Sequence, residues 1–252
     1  MAEIYTNIIP EEQLFYNKRS SAIFKWTIDS KLDLDLQAIC TFIALGFMLD
    51  DETFFNEIKT FKPATKYTLD ENNIIIDEEK YWEWHYSPKD STSSEILEEF
   101  STLFGNIIQN QIENKSVLLP ISGGLDSRTL FVPIKDEANL TLSSYEFEGG
   151  LNETRYGKKL AERFDHKIYT QKIPKGYLWH KINKLKKINK CFSEFTHPRQ
   201  LAVLDNWKGL GDIVLLGHMG DLLFDSQTNS NSYSYDEELK LLMNKIINPG
   251  GN

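Results

Sequence analysis

The six residues Ser122-Gly123-Gly124-Leu125-Asp126-Ser127 combine the groups needed to hold a phosphate chain. They follow the apolar run Val117-Leu118-Leu119-Pro120-Ile121, which is short enough for a buried strand. They precede Arg128-Thr129-Leu130-Phe131-Val132, which can start a helix and lean an apolar face on a sheet. Glycine lets backbone N–H groups come close to an anion, serine hydroxyls add donors, and a helix start contributes partial positive charge. Asp126 breaks that pattern, because a carboxylate repels phosphate unless a divalent cation lies between them. Its presence points to Mg²⁺-nucleotide rather than to bare phosphate. A Gly-Gly pair alone reads as a tight turn, and Ser or Asp beside it as an N-cap. The whole string in a strand–turn–helix context goes further. It lacks the Lys of a Walker loop and the third Gly of a dinucleotide fingerprint.

A second strand end repeats the pattern. The apolar run Ile213-Val214-Leu215-Leu216 opens into Gly217-His218-Met219-Gly220-Asp221-Leu222-Leu223-Phe224. If the two strands are neighbours, Asp126 and Asp221 could share one Mg²⁺ bridging the β- and γ-phosphates. That ion needs few protein oxygens, because phosphates and water complete its octahedron. For Asp221 alone, a helix N-cap is the simpler reading.

The elements that must position these loops alternate. A helix with Ile96, Leu97, Phe100, Leu103, Phe104, Ile107 and Ile108 at helical spacing should run into strand 117–121, its N-cap lying in Ser91-Thr92-Ser93-Ser94. Then come a strand over 140–147, a helix over 153–164, a strand over 166–173, and helical candidates at 176–190 and 198–208. Strand 213–216 follows. Such alternation predicts an α/β domain with a parallel sheet, helices on both faces, and ligands at the carboxyl ends of the strands. The domain boundary falls near residue 89. Before it, 22–28 reads as a strand, Leu36 to Met48 as a helix with Gly46 near its end, and Tyr67–Leu69 with Ile74–Ile76 as a hairpin around Asp70-Glu71-Asn72-Asn73. The aromatic cluster Tyr81-Trp82-Glu83-Trp84 reads as packing rather than as a ligand cage.

A chain of 252 residues with 40% hydrophobic and 26% charged residues can bury a substantial core as one large or two small domains. A net charge of −9 argues against a nucleic-acid surface, and the lysines between 181 and 190 read as a solvated helix face. Cys40 and Cys191 are far apart and have no Cys-x-x-Cys partner, so neither a zinc knuckle nor a redox pair is expected. The N-terminus lacks the basic and apolar regions of a signal peptide, and no window approaches a membrane span. A cytoplasmic location and no membrane partner are the expectations.

Ser-Gly-Gly-Leu-Asp-Ser resembles the PP-loop of ATP pyrophosphatases, which cut ATP between the α- and β-phosphates. That superfamily includes asparagine, GMP, argininosuccinate and NAD synthetases and tRNA-thiolating enzymes. The second motif narrows the resemblance. Gly217, Gly220-Asp221, Leu223 and Phe224 are in register with the Gly-Glu-Gly-x-Asp-Glu-Leu-Phe segment of the asparagine synthetase family. Asn152-Glu153, Ala161 and Phe164-Asp165-His166 resemble that family's intervening helix and turn. Leu45-Gly46-Phe47-Met48, Thr53-Phe54-Phe55, Ile58-Lys59, Lys62-Pro63-Ala64 and Glu79-Lys80-Tyr81-Trp82 resemble the end of its glutaminase domain and the junction that follows. The similarity covers roughly residues 36 to 226.

The resemblance implies a PP-loop (adenine nucleotide α-hydrolase-like) domain over 89–252, preceded over 1–88 by a small α+β relic of the glutaminase domain. It implies ATP and Mg²⁺, a small-molecule carboxylate acceptor, and an ammonia donor that could be a separate protein. Ser122, Gly123, Gly124, Leu125 and Ser127 would cradle pyrophosphate, Asp126 and Asp221 would place the metal, and Pro120, Phe147, Leu216 and Gly217 match adenosine-contacting positions. Three departures stand out. Ala2 occupies the place of the family's N-terminal cysteine, so glutamine hydrolysis is not expected. His218 aligns with the catalytic glutamate and would take over proton handling, imidazole being able to exchange protons near neutral pH, and Leu222 replaces an acidic residue. The short tail after residue 226 implies a shortened or degenerate member. Two alternatives to an AMP-forming carbon–nitrogen ligase stay open. One is a tRNA- or nucleotide-modifying enzyme, and the other is a nucleotide-binding module or scaffold without catalysis.

Overall fold

The computed structural model describes residues 2–7, 14–18, 23–24, 32–85, 87, 89–189, 199–217 and 234–246. The chain divides into two compact units. One is Met1–Pro88 with Lys186–Phe195 and Ser230–Asn252, the other Lys89–Leu185 with Thr196–Asn229.

The first unit holds two small antiparallel sheets. In one, β1 (Ala2–Tyr5) pairs with β5 (Thr65–Leu69), which pairs with β6 (Ile75–Lys80). The other has the order β3 (Ile23–Phe24), β2 (Phe15–Asn17), β4 (Ile58–Thr60). The β5–β6 hairpin forms where the sequence predicts it. Asp70 makes the turn by accepting from the N–H groups of Asn72 and Ile74 at 2.8 and 2.9 Å. Helix α1 (Leu36–Leu45) is capped by Asp35, whose carboxylate accepts from the Ala38 N–H, and ends at Gly46 with φ 81°. The expected 22–28 strand is seen at Ile23–Phe24, and 22 and 25–28 lie outside the described residues. The aromatic cluster is only half packed. Trp82 meets Trp84 edge-on at 5.0 Å, but Trp84 is 76% exposed.

In β2, Tyr16 packs edge-on against Phe61 at 5.1 Å, and Phe61 against Tyr67 at 4.7 Å. Burial, reinforced by the Asp51 charge, pushes the Tyr16 phenol up to about 12 from an ordinary 10. A raised folded-state value means that the neutral phenol contributes stability fully below the ordinary value and loses it as pH rises through the folded one. Tyr16→Phe should therefore show a smaller alkaline decline in urea stability across that window than the parent protein.

The second unit begins with α2 (Ser93–Ile112). Thr92 and Glu95 form a reciprocal capping box: the Thr92 hydroxyl accepts from the Glu95 N–H at 3.3 Å, and the Glu95 carboxylate accepts from the Thr92 N–H at 2.8 Å. Thr92→Ala should lower unfolding free energy by about 0.5–2 kcal/mol in a urea titration. Next come β7 (Val117–Pro120), α3 (Leu125–Phe131), β8 (Leu140–Phe147), α4 (Thr154–Phe164), β9 (Lys167–Ile173), α5 (Tyr177–Asn189), α6 (Leu204–Trp207) and β10 (Ile213–Val214). A last helix, α7 (Tyr235–Ile246), belongs to the first unit.

Strands β10, β7, β8 and β9 pair in that order and all in parallel. Alternate residues of β7 serve opposite faces. Val117 and Leu119 join Ile108 and Ile112 of α2, Leu130 and Phe131 of α3 and Ala161 of α4. Leu118 joins Val203 and Trp207. The sheet is thus covered on both sides, as a parallel sheet requires. Among the described residues no helix is long and apolar enough to cross a membrane.

Three expectations are revised. Residues 198–208 do not form one helix, since a 3₁₀ turn over Arg199–Ala202 precedes α6, and buried Val203 between them packs on the sheet. The last strand pairs over Ile213–Val214 rather than 213–216: beyond the bond from the Leu215 N–H to Leu118, the neighbouring β7 reaches Pro120, which has no N–H to donate, and Val214 and Leu216 stay 40% and 43% exposed. The lysine run is only partly solvated, with Lys181 and Lys184 donating to Asp205 at 2.9 and 2.8 Å. These bonds hold the Asp205 carboxyl well below the usual carboxylate range.

Candidate functional site

From β7 the chain builds the sheet one way through β8 and β9, then returns to place β10 on the other side of β7. The loops leaving β7 and β10 therefore part company at adjacent strand ends, where a doubly wound sheet opens a crevice. The sequence condition that the two glycine-bearing strands be neighbours is met. Ile213 pairs with Val117 and Val214 with Leu118, and the Leu215 N–H donates to the Leu118 carbonyl at 3.0 Å.

Gly217 brings the two ends into contact. A Cβ there would lie 3.0 Å from the carbonyl carbon and Cβ of Asp126 and 3.1 Å from the Ser127 nitrogen. A side chain there would have to push the start of α3 away by a few tenths of an ångström. At Gly123 the constraint is a ring, since a Cβ would come within 2.8 Å of Tyr156.

The loop between β7 and α3 is ordered by its own hydroxyls. Ser127 is buried, and its Oγ accepts from the Ser122 N–H at 3.1 Å. Ser122 Oγ accepts from the Gly124 N–H at 3.1 Å and lies 3.2 Å from Ser127 Oγ. Gly124 is the N-cap of α3 and brings no capping side chain, so the first-turn N–H groups keep their donor capacity for something else.

A cavity of about 610 Å³ lies at these strand ends, a size suited to a small molecule. Pro120, Ser122, Gly124, Asp126, Ser127, Phe147, Leu216 and Gly217 all line it. Of the other two loop residues, Gly123 faces Tyr156, and Leu125 has a side chain that is 73% exposed, and neither is among the lining residues. His218 and Asp221 lie outside the described residues.

Tyr145, Glu146, Tyr177, Arg199 and Gln200 also line the cavity and were not anticipated from sequence. Tyr145, Phe147 and Tyr177 form an aromatic chain, with ring centroids 6.1 and 5.8 Å apart. Burial raises the Tyr145 phenol, Glu153 and Tyr177 add to that, and the Arg199 charge opposes it. Glu146 receives the hydroxyl of buried Thr154 at 3.0 Å. The Ser143 hydroxyl is pinned by the Trp207 indole N–H at 2.8 Å. Tyr145 and Glu146 were legible in principle, because they end β8 as the glycine loop ends β7. Arg199 and Gln200 reach the cavity from a 3₁₀ turn and carried no local signal.

Among the described residues no group of three or more His, Cys, Asp or Glu could hold a metal ion. A Mg²⁺ ion bound with substrate phosphates needs only one or two carboxylates. Asp126 offers one, exposed on the cavity wall. No protein-family model matches the sequence, and no curated protein matches it. The functional reading therefore stands on the motifs and on the cavity.

Proposed function

We propose that this cavity binds ATP with Mg²⁺, and that the chain is an AMP-forming, amide-forming ligase of the asparagine synthetase type built on a PP-loop domain. The region before residue 89 is then related to that family's glutaminase domain. The observation that carries this reading is the contact of Gly217 with Asp126 at the strand-order switch. Two glycine-bearing strand ends converge there beside hydroxyls, first-turn N–H groups and one carboxylate.

ATP is the substrate in this account. The 122–127 loop holds the β- and γ-phosphates through N–H and O–H donors, with Gly123 and Leu125 shaping its backbone rather than lining the cavity. Asp126, with Asp221, would hold the Mg²⁺, whose contribution is to neutralise phosphate charge. Pro120, Leu216, Gly217 and the ring of Phe147 receive the adenosine. An acceptor carboxylate oxygen attacks the α-phosphorus, and the bond to the bridging oxygen breaks so that pyrophosphate leaves. Ammonia then attacks the acyl carbon, a C–N bond forms, AMP leaves with the former carboxylate oxygen, and the surplus proton passes to His218 or water. Catalysis is mainly positioning and charge stabilisation. A cytoplasmic protein fed with ammonia by a separate partner is consistent with this chemistry.

The test is product identity. Protein incubated with ATP, Mg²⁺, ammonium and a panel of carboxylates should release AMP and pyrophosphate in equal amounts with one acceptor. Release of ADP and phosphate would contradict the reading. ATP binding with no AMP from any acceptor would favour the non-catalytic module, which the replacement of the family's glutamate by His218 would suit.

A further inference from the structure

Arg128 lies one turn into α3, and its guanidinium folds back across the glycine loop. Its Nε–H donates to the Gly124 carbonyl at 3.1 Å, and an Nη2–H donates to the Gly123 carbonyl at 3.0 Å. One planar, permanently charged group thus holds two consecutive peptide units, which a lysine ammonium cannot do with the same geometry. The two carbonyls are the groups that would repel an anion if they turned inward. With both engaged by Arg128, they are committed to the side chain.

Gly123 and Gly124 are also the residues with the least intrinsic preference for a single backbone conformation. A loop of this kind needs an external brace if it is to be ready before its ligand arrives. Ser122 and Ser127 brace the N–H side at Ser122 and Gly124, and Arg128 braces the carbonyl side.

We infer that Arg128 is a positioning residue that pre-organises the Gly123-Gly124 peptides for polyphosphate. This inference rests on the phosphate-loop reading of the same site. It assigns a role to a residue just past the motif that the motif itself does not cover. Pre-organisation appears as affinity, since the bound conformation is already ordered in the free protein.

The test measures binding of inorganic pyrophosphate with Mg²⁺, and of ATP, by calorimetry in the full chain and in Arg128→Ala and Arg128→Lys. Hydrogen exchange at the 122–127 amides is followed in the absence of ligand. The inference expects a roughly tenfold or greater loss of affinity in both variants, equivalent to about 1.4 kcal/mol. It also expects faster exchange in the loop and partial recovery of Arg128→Ala on adding methylguanidine, which a general fold defect would not show. Arg128→Lys keeps the aliphatic stem and charge, so it serves where Arg128→Ala fails to fold. Full affinity in Arg128→Lys would reduce the role to bulk charge and overturn the inference. Unchanged affinity in both variants, with the parent protein binding normally, would overturn it while leaving the phosphate reading in place. A parent protein that binds neither ATP nor pyrophosphate would overturn the phosphate reading and the inference with it.

Discussion

Asp126→Asn should abolish ATP–pyrophosphate exchange, lowering its rate by about 10²-fold or more, while leaving the fold intact. The residue is exposed on the cavity wall, so its replacement by an isosteric amide should alter stability by no more than about 0.5 kcal/mol. The rate loss has a separate cause. Under the proposed function, Asp126 is a charged ligand for the ion that screens the phosphates, and losing one preorganised electrostatic contact in an active site costs about 10²–10³ in rate. The check combines exchange assays with circular dichroism and a thermal melt. Unchanged exchange would remove the metal assignment from Asp126.

Gly217→Val should produce the second large effect, through backbone geometry rather than charge. Its Cβ would sit 3.0 Å from Asp126 and 3.1 Å from the Ser127 nitrogen, closer than a carbon can settle without moving the start of α3. Overpacking of this kind costs about 1–3 kcal/mol of stability. The displaced Asp126 and Ser127 should also lower ATP affinity by roughly tenfold or more, since a 1.4 kcal/mol loss is one decade. A thermal melt and calorimetric titration with Mg²⁺-ATP measure the two effects. A variant with parent-like affinity would show that the Gly217–Asp126 contact does not shape the binding site.

Both expectations depend on a sheet that was largely legible from sequence. Strand β7 is an apolar run, β8 and β9 are mixed runs rich in aromatic and β-branched residues, and glycine or proline at or soon after each end helps place them within a residue or two. The capping box at Thr92 and Glu95 was likewise visible as an N-cap ahead of acidic residues. Tertiary context decided the rest. Ile213 to Leu216 is apolar throughout, yet only two residues pair, because Pro120 of the neighbouring strand has no N–H to continue the ladder. The pattern at 198–208 contains enough apolar residues for a helix, but packing Val203 against Leu118 and Trp207 interrupts it.

The candidate site was legible only where it is local. The glycine loop announces itself in six consecutive residues, and Gly217 follows from the next glycine-bearing strand end. Their contact depends on strand order, which local pattern does not contain. Arg199 and Tyr177 belong to segments far along the chain, and only the fold brings them to the cavity that Ser122 and Asp126 line.

Every step of the proposed chemistry needs a polyphosphate held between the end of β7 and the end of β10. Backbone amide resonances followed during titration with Mg²⁺-pyrophosphate would locate it. The largest shifts are expected at Gly123, Gly124, Asp126 and Gly217. Saturating changes confined to other parts of the chain, or no change at these amides at any concentration, would contradict it.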